Sequence, residues 1–190
     1  MPLSTIGLYL KNWGMTRQRP TKCFKERQDG AAKQWVKRVY PEIRRRAKRQ
    51  NAEIQWADES GASNRSGSAA KGYAPKGRTP VLKESAVKRR INYISSVTNQ
   101  GKVRYMTYRG KFDSKVFIRF LERSIRGRSR KIMMIVDNYR VHKSAVVLEW
   151  LKIRRKRIEI EYLPPYCPDP NPDEYLNCDV KSNVHRERLP

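Results

Sequence analysis

The run Ile132–Val136, IMMIV, constrains the fold of this chain more than any other stretch. Five apolar residues in a row, closed off by Lys131 and Asp137, mark a strand buried on both faces. The sheet that contains such a strand must be covered by helices. It is also the longest apolar run, far below the roughly 18 residues of a membrane span.

The elements around it follow from period and punctuation. Glu53 to Asp58 alternates, which puts Ile54, Trp56 and Asp58 on one face of a strand that ends at Asp58. Residues 60 to 80, rich in Gly, Ser, Ala and Pro, read as loop with a short hairpin arm. Ile91–Thr98 and Val103–Tyr108 form two strands joined by the turn NQGK. Asp113 caps a helix with Phe117, Phe120, Leu121 and Ile125 on one side. After the buried strand comes a helix with Val147, Leu148 and Leu151 inward, then a strand at Ile158–Leu163. Asn171-Pro172 opens a last helix, with Leu176, Val180 and Val184 along one stripe. The order β-β-β-α-β-α-β-α predicts an α/β fold, a mixed sheet flanked by helices. It is similar to the order of the ribonuclease-H-like fold.

Ahead of this block, Ser4 caps a helix carrying Ile6, Leu10 and Trp13 and ended by Gly14. Residues 16 to 28 are polar and basic and read as linker. From Asp29 to Gln50 the apolar spacing is helical again, through Trp35, Val39, Ile43 and Ala47, with Pro41 expected to kink or restart the helix. The chain therefore divides at 1–14, 15–50 and 51–190.

Charge narrows the partner. Lys and Arg number 43 against 18 Asp and Glu, a formal net charge of +25 over 190 residues. Such a chain repels itself when compact, and a polyanion relieves this, nucleic acid first among candidates. Structural RNA-binding proteins share this composition, so charge alone leaves catalysis open. The three cysteines are scattered, without the spacing of a disulfide framework or a zinc site, which fits a reducing interior. The N-terminus has no secretory apolar region, and a soluble, intracellular protein is expected.

Three carboxylates fall at the ends of predicted elements: Asp58, Asp137 and Glu174. Hard divalent cations take oxygen ligands, and two such ions can serve an in-line phosphoryl displacement. Each carboxylate also has a plain structural role open to it. Asp58, followed by Glu59 and Ser60, can begin a turn, and Asp137-Asn138 can be a turn pair. Glu174 can complete a capping box with Asn171, and Asp173 competes with it as a ligand.

The segment LPPYCPDPNPDEYLNCDVK, Leu163 to Lys181, resembles the LPPYSPxLNPxE block of transposases of the mariner superfamily, in its bacterial insertion-sequence branch. IQWADESG (Ile54 to Gly61) and IMMIVDNYRVHKS (Ile132 to Ser144) resemble the blocks that carry that family's first and second Asp. KGYAPKGRTPV and ISSVTNQGK resemble segments between them. The resemblance implies that Asp58, Asp137 and Glu174 are the catalytic residues and the ligands of two Mg2+ ions, with Mn2+ as a substitute. It implies double-stranded DNA as partner, both element ends and target, a homodimer in a synaptic complex, and a cytoplasmic, nucleoid-associated bacterial setting. Arg17, Arg19, Arg44, Arg45, Lys71, Lys76 and Arg78 are expected to track phosphates. His142, in a DNxxxH pattern, and Lys181 and Asn138 join them by resemblance. Cys167 stands where the family usually has Ser, and Pro170, where it usually has Leu, stiffens the loop before Glu174. Relatives carry two helix-turn-helix modules ahead of this domain, so residues 1–14 are expected to be the last helix of one and the chain a truncated copy or one reading frame of a split element. A second reading of the same residues is a non-catalytic DNA-binding relic of a transposase.

Overall fold

The computed structural model describes residues 3–16, 30–63, 75–78, 87, 89–165, 167 and 170–183. Arg17, Arg19, Lys71, Val184 and most of the predicted hairpin arm lie outside the described residues. Among the described residues, no helix is long and apolar enough to cross a membrane.

A five-stranded mixed sheet organises the chain: β1 (Glu53–Ser63), β2 (Arg90–Thr98), β3 (Val103–Tyr108), β4 (Ile132–Val136) and β5 (Ile158–Tyr162), in the spatial order β3-β2-β1-β4-β5. The first three strands form an antiparallel meander, and β4 and β5 add on parallel to β1. The β2–β3 turn is the predicted one. Gly101 takes φ +78° there, a left-handed value that suits a residue without Cβ, and the Thr98 N–H donates to the Lys102 carbonyl at 2.9 Å.

Helices cover both faces, as the uniformly buried β4 requires. On one side α4 (Ser114–Ile125) and α5 (Ala145–Ile153) supply Phe117, Phe120, Leu121, Val147 and Trp150 to a core with Ala57, Ile94, Met134 and Ile158. Asp113 caps α4 as expected, its Oδ1 accepting from the Val116 N–H at 2.8 Å. On the other side Trp35, Ile43 and Ala47 pack on Ile54, Trp56, Met133 and Ile135. These belong to one helical stretch: α2 (Ala31–Gln34), a π-helical turn (Trp35–Val39) and α3 (Tyr40–Arg49). The turn widens just before Pro41, whose ring would otherwise meet the carbonyl four residues back and which has no N–H to give. Arg46 ties α3 to the sheet through ion pairs with Glu161 and Glu159, so the RRRAKR cluster is only partly a solvated face.

Several local expectations need correction. β1 does not end at Asp58 but continues to Ser63, because β2 is long enough to pair with it through Ser63↔Arg90. Asp58 is therefore mid-strand, opposite Ser95, and residues 60–63 are strand rather than loop. In α5, Leu148 is 49% exposed and Trp150 faces the core in its place, with Val147 and Leu151. The last helix, α6 (Asp173–Asn183), turns a largely polar face inward: Asp173 and Asn177 are buried, and Leu176 and Val180 are only half-buried. The helix α1 (Leu3–Asn12) forms where expected but already includes Ser4, the expected cap, and Ile6, Leu10 and Trp13 are exposed.

Candidate active site

The site forms where two parallel strands and α6 meet. β1 pairs with β4 through Trp56↔Ile135, so Asp58 and Asp137, each two residues further on, reach the same level of the sheet. α6 crosses β1 and brings Glu174 over them. Asn171 starts this helix: its Oδ1 accepts from the Asp173 N–H at 3.1 Å, and its Nδ2 donates to the Ala57 carbonyl at 3.3 Å. One buried Asn therefore caps α6 and fastens it to the strand that carries Asp58. A cleft of about 560 Å³ opens here, lined among others by Asp58, Asp137, Asn138, Arg140, Asn171 and Glu174. The structure brings the three sequence-predicted carboxylates together.

Polar contacts orient them. Asn177 Nδ2 donates to Asp58 Oδ2 at 2.9 Å, and the Tyr139 N–H donates to Asp137 Oδ1 at 3.1 Å. Asp173, weighed above as a rival to Glu174, is buried and accepts from Ser95 Oγ at 2.7 Å, which points it into the sheet. Glu174 lines the cleft instead.

Crowded negative charge shows in the protonation. Burial above all lifts Asp58 to about 7, and the charges of Glu174, Asp173 and Asp137 push the same way. Asp173 is lifted to about 7 by burial, against the pull of the Ser95 hydrogen bond. Glu59 is lifted to about 7 by burial, opposed by the neighbouring His142. Asp58, Asp137 and Glu174 line one cleft, and the side chain that donates to Asp58 is the neutral Asn177, so the three form a donor set that fits a hard divalent cation.

A pH dependence follows. For Asp58 the folded value lies above the unfolded one, so its contribution favours folding at low pH and is lost as pH rises from about 4 through about 7. In metal-free protein Asp58→Asn, which mimics the protonated acid, is expected to be more stable than the parent at pH 8 by roughly 2 kcal/mol. Thermal melts in chelator should show that advantage shrinking as pH falls towards 4. A gap that stays constant with pH would contradict the assignment.

The nucleic-acid residues are spread more widely. Arg44 and Arg45 are exposed on α3, Arg45 paired with Glu42, and Lys181 is exposed on α6. Lys76 and Arg78 are exposed in the short described stretch 75–78. His142 departs from expectation. It is 1% exposed, its ring centroid 4.4 Å from that of Phe117, so it presents no edge to a DNA phosphate. Its place is beside Asp137 and Glu59. Three contributors went unread in the sequence: Glu59, Ser95 and Asn177. Asn177 had a usable signal, since it follows Asp173 by four residues and shares its helical face.

Residues 53–190 match the family described as DDE superfamily endonuclease. No curated protein matches the sequence. Among solved structures, the Mos1 transposase paired-end complex with left transposon end is similar at 17% identity and a TM-score of 0.65, over 95% of this chain and 56% of that one. The Mos1 Strand Transfer Complex gives the same values. The catalytic domain of Mos1 mariner transposase gives 15% identity and a TM-score of 0.54, over 89% of this chain and 78% of that one. The chain thus spans 56% of the length of the first two. At these identities the likeness is one of fold, the ribonuclease-H-like sheet with its flanking helices.

Proposed function

This chain belongs to the DDE superfamily of endonucleases, and on that premise we propose that it is a transposase catalytic domain which cleaves DNA at element ends and joins the freed strand to a target. The observation that carries the reading is the meeting of Asp58, Asp137 and Glu174 at one cleft of a chain with net charge +25. The block from Leu163 to Lys181 supports its placement in the bacterial insertion-sequence branch of the mariner superfamily.

Asp58, Asp137 and Glu174 would hold Mg2+, or Mn2+ in its place, as a pair of ions. Structures of the Mos1 paired-end complex with Mg and with Mn support that ion class. Bound there, such ions supply Lewis-acid polarisation of a phosphoryl oxygen and favour the deprotonated attacking oxygen. The chain's own residues do the rest. Asn177 keeps the Asp58 carboxylate turned to the cleft, and Asn171 keeps α6, hence Glu174, seated on β1. Residues 51–190 would carry the chemistry, and the basic residues of 15–50 and 71–90 would hold the duplex. Two ends joined in one complex call for two copies of the chain, as a homodimer, in the bacterial cytoplasm at the nucleoid.

DNA affinity is expected to fall about 10³-fold between 50 and 200 mM salt if some six phosphates are neutralised. Fluorescence anisotropy measures it, and Arg44→Ala should reduce the salt slope by about one. An unchanged slope would remove Arg44 from the interface. The function itself is tested by strand transfer of a pre-cut DNA end with Mg2+ or Mn2+. Joining that requires the ion and is lost in chelator supports the reading. Salt-sensitive DNA binding without any joining would favour a non-catalytic DNA-binding protein.

A further inference from the structure

The reaction proposed above leaves one group of buried side chains unused. Alternation along β1 turns Asp58 towards α6 and sends Glu59 to the opposite face, where its β2 partner Ile94 belongs to the α4–α5 core. There Glu59 meets His142. The imidazole Nδ1 lies 3.1 Å from Asp137 Oδ1 and 3.3 Å from the Asp137 carbonyl oxygen. Both are acceptors, so Nδ1 carries the proton and Nε2 presents its lone pair. A metal-binding histidine is usually held in this way, by a carboxylate or carbonyl on the nitrogen that does not ligate.

Another unpartnered atom lies near that nitrogen. Nε2 lies 3.7 Å from Glu59 Oε2, beyond hydrogen-bond reach, and both atoms are buried without a hydrogen-bond partner. Two facing buried acceptors are unfavourable unless something positive stands between them. Ligand atoms about 2.0–2.1 Å from a tetrahedral ion stand about 3.3 Å apart. The gap therefore closes to that spacing with a shift of a few tenths of an ångström. One ligand atom each from Glu59, Asp137 and His142 already lies within 4.8 Å of the other two. An imidazole facing a carboxylate suits a borderline ion such as Zn2+ or Co2+, whereas Mg2+ prefers oxygen alone.

We propose that Glu59 and His142 form a second cation site, for a borderline transition-metal ion, on the face of β1 opposite the Asp58 and Glu174 carboxylates, with Asp137 holding the imidazole through Nδ1. It shares Asp137 with them only as that support, and it requires only the folded chain, whether or not that chain joins DNA.

Metal-free protein with 15N-labelled histidine, titrated with Zn2+, tests the proposal. The chain has two histidines, and a His185→Gln variant identifies the signals of His142. The His142 Nε2 resonance is expected to shift with one equivalent of Zn2+ and to stay in place with excess Mg2+. Calorimetric Zn2+ affinity should fall at least tenfold in Glu59→Gln and remain unchanged in Glu174→Gln. An Nε2 signal unmoved by saturating Zn2+, as when a proton alone bridges Glu59 and His142, would overturn the site. So would equal Zn2+ affinity in Glu59→Gln and the parent. The first reading uses unaltered His142, so it does not depend on a core histidine variant folding.

Discussion

Asp137→Ala is expected to lower joining of a pre-cut DNA end by about 10³-fold or more, with the fold left intact. A ligand that helps stabilise charge on a transferring phosphoryl group contributes several kcal/mol to the transition state, and each 1.36 kcal/mol is tenfold in rate. Stability should hardly change. Asp137 sits just past β4, its side chain 46% accessible; its Oδ1 accepts from the Tyr139 N–H and lies 3.1 Å from His142 Nδ1, which keeps the Asp137 carbonyl oxygen at 3.3 Å as an acceptor when the side chain is truncated. Truncation there opens no cavity and strands no buried charge. DNA binding should persist and rise slightly, since a negative charge is removed from a basic surface. The comparison is made by strand-transfer gel, anisotropy and thermal melt on the same two proteins. Joining that survives in Asp137→Ala with an unchanged melt would sink the assignment of Asp137.

The other large effect is on stability. Phe117→Ala should cost about 3–5 kcal/mol, a major part of what a domain of this kind has to spare. Phe117 is fully buried between α4 and the sheet, where little can move to fill the void it would leave. Its ring also packs on His142 at 4.4 Å and on Phe112 at 5.9 Å, the aromatic support on which the imidazole beside Asp137 rests. Urea unfolding should show a lower midpoint with an unchanged slope. A midpoint shift worth less than about 1 kcal/mol would mean that the core closes around the gap.

Several residues announced their place. IMMIV could only be a covered strand, and Asp113 three residues ahead of Val116 could satisfy a free helix N–H. Pro41 signalled a disturbance but not its form, because a kink, a restart and a π-turn all relieve the same clash. The stripe expected on α6 was misread. Leu176 and Val180 are half-buried, and the contacts that seat the helix are polar, from Ser95 to Asp173 and from Asn177 to Asp58. Glu59 was invisible as a site residue, because its importance depends on what covers the far face of β1.

What this sequence determined by itself is the set of elements and their order, together with the carboxylates eligible for chemistry. Those follow from local physics: the twofold and 3.6-fold periods of burial, the caps, and the residues that stop a helix or bend a strand. Only the tertiary structure decided which polar groups face one another. The registers Asp58↔Ser95 and Trp56↔Ile135 join residues far apart in the chain. They decide that Asp58 and Asp137 share a cleft with Glu174, that Asp173 points into the sheet, and that His142 is buried against Glu59 rather than open to solvent. No local period encodes such pairings, because they arise from packing both faces of one sheet at once.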